Sequence, residues 1–528
     1  MARAMKFKNE LTFDSLSKDR ESEFHEKYEA AHAKVMKELD KDYPNAIGGK
    51  ERFSKEGVFA DFCPYDTSII VGKFQKGTRD DVMDAVDISS TAQESWEGTK
   101  VQRRCAIFRA AADMMVNDKY VLAAWLTLEN GKNRFEAIAE VDETIDYMRY
   151  YALLLDQSDG YALELDGPLV CNNAKSVLRP LGVMGVISPF NFPLAITCGM
   201  LTGALITGNA AILKPASDTP LMGFLLYKTL VDAGVPPEVL HYITGPGETV
   251  GDELSSNRGV AALVFTGSRE VGMGIARKSM QFGKRPPILE MGGKNAAIVS
   301  DKADIDKAVE GVGRSAFGYG GQKCSATSRV ILNKKIADQF LKKLVLWLND
   351  KKIGESWKKD IFLGPLINNA AVERYRKVVW EASQKGQVLT GGHILNDTGP
   401  YSKGYFVEPA VVVHLPKDHE FVKRELFAPI LIALTYEDFE QALDMANDIE
   451  YGLTAGLFSE DQGEIDRFFD RIRAGVTYVN KASGATTGAL VGQQPFTGWK
   501  GSGVTGKGAG GPYYLLQFLQ EQSRTICR

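Results

Sequence analysis

Apolar residues fall at helical spacing near the start of the chain. Between residues 17 and 42, Phe24, Tyr28, Ala31, Val35 and Leu39 line one face among dense charges, which predicts an amphipathic helix lying on a larger body. SIIVGKF (68–74) predicts a strand, and three long helical stretches follow at 79–97, 102–130 and 135–157. Residues 161–180 alternate well enough for a hairpin. From Gly182 the pattern becomes regular: VMGVISP, NAAILKP, VLHYITG and AALVFTGS read as strands, each followed by a helical stretch. Such alternation predicts a parallel sheet with helices on both faces, binding ligands beyond the carboxyl ends of its strands. A composition break falls at GKRPPILEMGGKNAAIVS, and a second α/β segment runs from there to about residue 480. The remainder is rich in Gly, Ser and Thr before the apolar YYLLQFL.

A chain of 528 residues exceeds what one core supports, so two or three domains are expected. With 44% hydrophobic and 25% charged residues the composition is that of an ordinary soluble globular protein. A net charge of −4 argues against nucleic-acid binding, which needs excess positive charge. The 6 cysteines are far apart and form no CxxC pair, which suits a reducing, cytoplasmic setting. The 6 histidines show no HExxH spacing, so no metal is expected. The N-terminal stretch lacks the apolar core of a signal peptide and is too acidic for a typical transit peptide. The longest apolar stretch, 194–213, is interrupted by Thr, Gly and Asn, so no membrane span is expected.

Candidate chemistry centres on RSAFGYGGQKCSATSR (314–329), a helix running into a glycine-rich loop that presents Cys324 before a β-branched strand. Glycines let a ligand approach the backbone closely, as a nucleophilic cysteine requires. A buried cysteine acting as a small apolar residue is an equal alternative on this stretch alone. In SPFNFP (188–193), Asn191 is either a turn residue or a donor aimed at a developing oxyanion. In LEMGGKN (289–295), Glu290 ends an apolar strand, either as a general base for water or as half of a buried ion pair. Lys214, the Gly245-Pro246-Gly247 turn and Gly267-Ser268 lie at successive strand ends, where backbone N–H groups and a hydroxyl can meet phosphate. The literal GxGxxG at 501–506 lacks a preceding strand and a βαβ unit and reads as a false hit.

PFNFP, LKPASDTP, FTGS, LEMGGKN, GQKC, LFAPI and PFTGWKGSG together, in this order, resemble the aldehyde dehydrogenase superfamily from about residue 50 onward. The resemblance implies an α/β fold in three parts. Residues 1–160 and 181–288 would form an NAD-binding domain, and 289–480 a catalytic domain. Residues 161–180 and 481–528 would form a small β flap and tail for homo-oligomerisation. It also implies that Cys324 attacks the aldehyde and that Asn191 and the Cys324 N–H stabilise the thiohemiacetal oxyanion. Hydride then passes to the nicotinamide, and Glu290 activates the water that hydrolyses the thioester. The implied cofactor residues are Ser188, Pro189, Phe190, Lys214, Ser217, Gly247, Gly251, Phe265, Gly267, Ser268, Gly292, Glu425 and Phe427. Ser217 stands where many NAD-specific members carry a glutamate that grips the ribose, which leaves room for NADP. Ala428 and Thr497 replace glycines of the common pattern.

Ser325 directly after the cysteine, the loop TTGALVGQQPF (486–496) and SDT after LKPA resemble the 1-pyrroline-5-carboxylate dehydrogenase branch of that family. That branch oxidises glutamate γ-semialdehyde to glutamate in proline catabolism. By this resemblance Ser325 and the N–H groups of Gly488 and Ala489 hold the substrate's α-carboxylate, and Phe192 and Phe496 pack on its stem. Glu143 matches an acidic residue near the aldehyde, with an ordinary exposed helix glutamate as the equal alternative. The role of Lys323 is open. Another semialdehyde dehydrogenase is the nearest rival, and a CoA-acylating enzyme or a non-catalytic relative stands further off.

Overall fold

Two seven-stranded sheets carry the chain in a computed structural model, which describes residues 18–165, 173–281, 285–396, 399–482 and 490–526. In the first sheet, strands Val183–Ile187, Ala210–Lys214 and Ala262–Gly267 are neighbours in parallel register. Leu240–Tyr242 extends the sheet on one side and Ile288–Met291 closes the other. The central strands are almost wholly apolar and buried on both faces, as a sheet covered by helices requires. Parallel pairing puts the ends of 183–187, 210–214 and 262–267 along one edge, where Ser188, Lys214 and Ser268 stand.

The second sheet is built on Asn295–Val299, Thr327–Asn333, Ile430–Tyr436 and Thr454–Phe458, all parallel, with Gln387–Thr390 antiparallel at an edge. A three-stranded antiparallel flap joins Ala162–Leu165, Asn173–Pro180 and Leu519–Ile526. It exposes Leu163, Leu165 and Ile526. The hairpin read at 161–180 is thus two strands of a three-stranded unit, the third coming from the end of the chain. Phe518, Leu515 and Tyr514 in the short helical turn before that third strand are buried in the core of the first sheet.

Several expectations shift. The first helix spans Lys18–Val35, and Leu39 lies past the turn that follows it. Its face of Phe24, Tyr28, Ala31 and Val35 is buried as the spacing predicted. The stretch 102–130 divides into helices Val101–Asn117 and Lys119–Asn130 at Asp118 (φ −95°, ψ 11°). The polar pair Asn117-Asp118 sits where helix and turn geometry compete. The stretch after Gly247 opens as a π-turn, Gly247–Gly251, before a one-turn helix. A hairpin unforeseen from the sequence, Asn45–Ile47 and Lys50–Arg52, caps the first sheet.

The boundary expected at 288/289 falls inside the strand Ile288–Met291. Ile288–Met291 pairs with Ala262–Gly267 (Thr266 opposite Glu290) and belongs to the first sheet, because its apolar residues complete that sheet's covered edge. GSGVTG (501–506) follows only the two-residue strand Trp499–Lys500 and opens no helix, in keeping with a false hit.

Phe518 is fully buried, and its ring fills the space where a Cβ on Gly203 would come within 2.6 Å. Phe518→Ala is expected to cost about 3–5 kcal/mol, the usual loss for an emptied aromatic site. A chemical-denaturation midpoint checks this, and a loss under about 1 kcal/mol would show that the tail only rests on the surface.

Candidate active site

The helix Ile305–Phe317, capped by the Asp304 side chain on the Lys307 N–H (3.1 Å), leads into the cysteine loop. Its axis ends in three consecutive left-handed residues: Tyr319 (φ 50°), Gly320 (φ 61°) and Gly321 (φ 64°). Gly321 has no alternative, since a Cβ there would lie 2.5 Å from the Ala428 carbonyl oxygen. Tyr319 is not glycine, and its hydroxyl is bonded to the Asn130 carbonyl at 2.9 Å. Two carboxamides then hold the loop's carbonyls. Asn191 Nδ2 donates to Gln322 O at 3.0 Å, and Asn295 Nδ2 donates to Cys324 O at 2.7 Å and Ala326 O at 2.9 Å. Asn295 Oδ1 accepts the Thr454 N–H at 3.0 Å and so ties the loop to the sheet.

Cys63, Cys105 and Cys198 are buried, whereas Cys324 is part-exposed among the described cysteines. The residue is thus less enclosed than the three core cysteines, although its thiol is itself desolvated. Desolvation raises the thiol's pKa, and the carboxylates of Glu425 and Glu290 raise it further. The cysteine is held as a thiol at neutral pH and needs help to lose its proton.

Glu290 stands at the end of the first sheet, 8% exposed, with the Gly498 N–H on Oε2 at 3.0 Å. Burial pushes its carboxyl well above the usual range, and the Gly498 bond only partly opposes this. Among the described residues it has no cation within ion-pair distance, so the buried ion-pair alternative is not what the geometry offers. The tail braces the same strand: Ser502 O accepts the Met291 N–H at 2.8 Å and Ser502 Oγ donates to Gly292 O at 2.7 Å.

Glu425 meets the next two residues. Its Oε1 accepts the Gly293 N–H at 3.0 Å, and burial raises its pKa to about 7. A Cβ on Gly292 would sit 2.0 Å from Glu425 Oε2, and one on Gly293 would sit 2.9 Å from Cys324 O. The two glycines thus allow base strand, cysteine loop and Glu425 to converge.

At the edge of the first sheet, the Ser188 N–H donates to Lys214 O at 3.1 Å. Lys214 is 6% exposed, its ammonium bonded among the described residues to the neighbouring Pro215 carbonyl alone, and burial lowers its pKa to about 8. Such an ammonium keeps donor hydrogens that an adenosine ribose could take. Gly251 packs beside its stem, and Gly247 leaves open space over the turn. Phe265 turns its ring over Gly267, and Ser268 precedes the helix Arg269–Gln281. Pro189 is buried, Ser217 is exposed, and Phe190 meets Phe427 edge to face at 5.7 Å. These residues fit a dinucleotide.

Ser325 is buried beside the cysteine, and Phe192 and Phe496 are part-exposed. Gly488 and Ala489 lie outside the described residues. Glu143 is part-exposed on its helix, with a carboxyl that is desolvated. Burial, then Glu140, raises its pKa to about 8, with Tyr147 as hydrogen-bond partner. Lys323 pairs with Glu136 at 2.8 Å. Asn295, Gln322, Lys132 and Glu140 were not singled out from the sequence. For Asn295 a signal existed: an amide opening the apolar strand NAAIV.

The description "Aldehyde dehydrogenase family" matches residues 52–523. A protein from Geobacillus sp. (strain WCH70) named 1-pyrroline-5-carboxylate dehydrogenase is 36% identical over 94% of this chain and 95% of its own. One of Bacillus subtilis (strain 168), named 1-pyrroline-5-carboxylate dehydrogenase 2, is 34% identical over 95% and 96%. A crystal structure of 1-pyrroline-5-carboxylate dehydrogenase from Thermus with bound NAD superposes with a TM-score of 0.92 at 32% identity, covering 100% of both chains. With that match over most of its length, the chain belongs to the aldehyde dehydrogenase family.

Proposed function

We propose that this chain oxidises glutamate γ-semialdehyde to glutamate with NAD. One observation carries the reading: a part-exposed Cys324 stands on a loop gripped by Asn191, with the buried acid Glu290 close enough to perturb it. The relatives named for this activity support the choice of substrate.

Cys324 Sγ attacks the aldehyde carbon as the thiol proton passes to water in the site, since burial disfavours a standing free thiolate. The resulting oxyanion meets the Cys324 N–H and the Asn191 Nδ2 hydrogen not used on Gln322 O. NAD, when bound by Lys214, Ser268 and Glu425, supplies the hydride acceptor that leaves an acyl thioester on the sulfur. Glu290 then takes a proton from water as the water attacks the thioester, and passes it to the departing sulfur, which restores the thiol. Gly498 keeps one Glu290 oxygen fixed and leaves the other for the water. Ser325, with Gly488 and Ala489, would bind the α-carboxylate through a hydroxyl and backbone donors, without a buried arginine. Phe192 and Phe496 would flank the stem. Ser217 offers no carboxylate to repel a 2′-phosphate, so NADP is a second cofactor to compare.

Purified protein given 1-pyrroline-5-carboxylate, succinic semialdehyde, NAD, NADP and CoA in separate combinations tests the assignment. The kcat/KM is expected to favour 1-pyrroline-5-carboxylate, and a preference above about tenfold for succinic semialdehyde would remove it. Asn191→Ala is expected to lower kcat by about 10²–10³, the usual cost of one oxyanion donor, and a loss under about fivefold would end that role. Glu290 works as a base only when ionised, and its raised pKa means that this form is lost as pH falls through a value well above 4.5. Wild-type turnover should therefore decline on the acid side well above that pH. Glu290→Gln should give a burst of one reduced cofactor per site, then slow turnover with that acid limb flattened. Rapid-mixing absorbance at several pH values checks both, and steady fast turnover in the variant would exclude Glu290 as the base.

A further inference from the structure

Lys132 is fully buried beside the site, yet it touches neither the thiol nor Glu290. A lysine without exposed surface is rare, because burial penalises its ammonium. Its Nζ is bonded to Glu140 Oε2 and to the backbone carbonyl of Asn191. The same nitrogen lies 3.7 Å from the centroid of the Phe192 ring and 4.7 Å from that of Tyr319. Glu140 uses its other oxygen to accept the N–H groups of Leu194 and Ala195 at 2.9 and 3.1 Å. One ion pair therefore grips both ends of the segment 191–195 and faces the left-handed turn that leads to the cysteine.

The Asn191 carbonyl takes its bond from Lys132, while Asn130 Nδ2 on Phe190 O (2.7 Å) and the Ile196 N–H on Phe192 O (3.2 Å) hold the residues on either side. The Asn191 carboxamide makes a 3.0 Å bond to Gln322 O, and a small rotation about the 191 backbone would swing the free N–H away from the sulfur. A misplacement of about 1 Å is enough to cost a large factor in rate. The charges around Lys132 balance locally: Glu140 and Glu136 face it, and Lys323 pairs with Glu136.

We propose that Lys132, clamped by Glu140, is a positioning residue that holds the Asn191 carboxamide in register with the cysteine loop. The inference rests on the oxyanion role proposed above for Asn191. Lys132 acts through Asn191 and has no contact with the substrate's carbonyl.

The test is a double-mutant cycle read with p-nitrophenyl acetate, an activated ester whose hydrolysis at a cysteine needs neither nicotinamide nor the semialdehyde. Removing one partner of a buried pair strands the other charge, so both are neutralised together as Lys132→Met/Glu140→Gln. The glutamine keeps an acceptor for Leu194 and Ala195. The double variant should lower the hydrolysis rate by about 10–100-fold in the wild-type background, and by less than about twofold when Asn191→Ala is already present. The rate of Cys324 alkylation by iodoacetamide should stay within about twofold, a readout that general loosening of the site would move. The same factor of loss in both backgrounds would overturn the proposal. If the double variant does not fold, Lys132→Arg, which keeps the charge opposite Glu140 but not the compact ammonium on the Asn191 carbonyl, runs the same cycle with a smaller expected factor and the same deciding criterion. Cys324→Ala separates the two levels. If it abolishes hydrolysis while the cycle is additive, only the positioning role falls. If hydrolysis survives it, the proposed function falls and the inference with it.

Discussion

A reactive sulfur has to face a ligand while the backbone that carries it stays dry, and that requirement leaves carbonyls stranded. Residues 322–326 lie before the strand Thr327–Asn333, so the oxygens of Gln322, Cys324 and Ala326 have no ladder partner. Buried carbonyls without partners are costly. Asn191 and Asn295 meet that need from opposite sides, one from the first sheet and one from the second. The amides that satisfy the loop also fix where the sulfur stands, so the geometry of the site follows from a hydrogen-bonding debt.

Burial governs the acids in the same way. Glu290, Glu425 and Glu143 all have raised pKa values with desolvation as the leading cause. Lys294 and Arg374 oppose the rise at Glu425 and Lys132 opposes it at Glu143, without overcoming burial, and each acid has a donor: Gly498, Gly293 and Tyr147 respectively. Single hydrogen bonds of this kind orient a carboxyl without pinning it in the ionised state. Lys132 and Glu140 take the opposite course, two buried charges neutralising each other with further bonds to backbone.

Much of this was legible in the sequence because it is local. The alternation from Gly182 onward gives the parallel strands, and the glycines around Cys324 correspond to positive φ and close approach. What escaped is what the chain supplies from a distance. The helices Ala195–Ile206 and Pro220–Asp232 have no side-chain cap of their own. Their first N–H groups are met by Glu140 and Glu129, from helices far upstream. Unpaired N–H groups at a helix start attract a carboxylate from any direction, and no local motif records which one arrives. The short hairpin at 45–52 was hidden for a similar reason, since its place in the sheet depends on Asn45 accepting the Thr244 N–H at 2.9 Å. The break at Asp118 lay within a stretch whose apolar spacing continues on both sides of it.

The crossing from Met291 to Asn295 has a mechanical meaning. Glu290 travels with one sheet and Cys324 with the other, and Gly292 and Gly293 are the joint between them. Any rocking of one half of the molecule against its counterpart is therefore read out directly as a change in the gap between acid and sulfur. Because side-chain atoms of Glu425 and Asn295 crowd that joint, bulk cannot be added there without prising the halves apart.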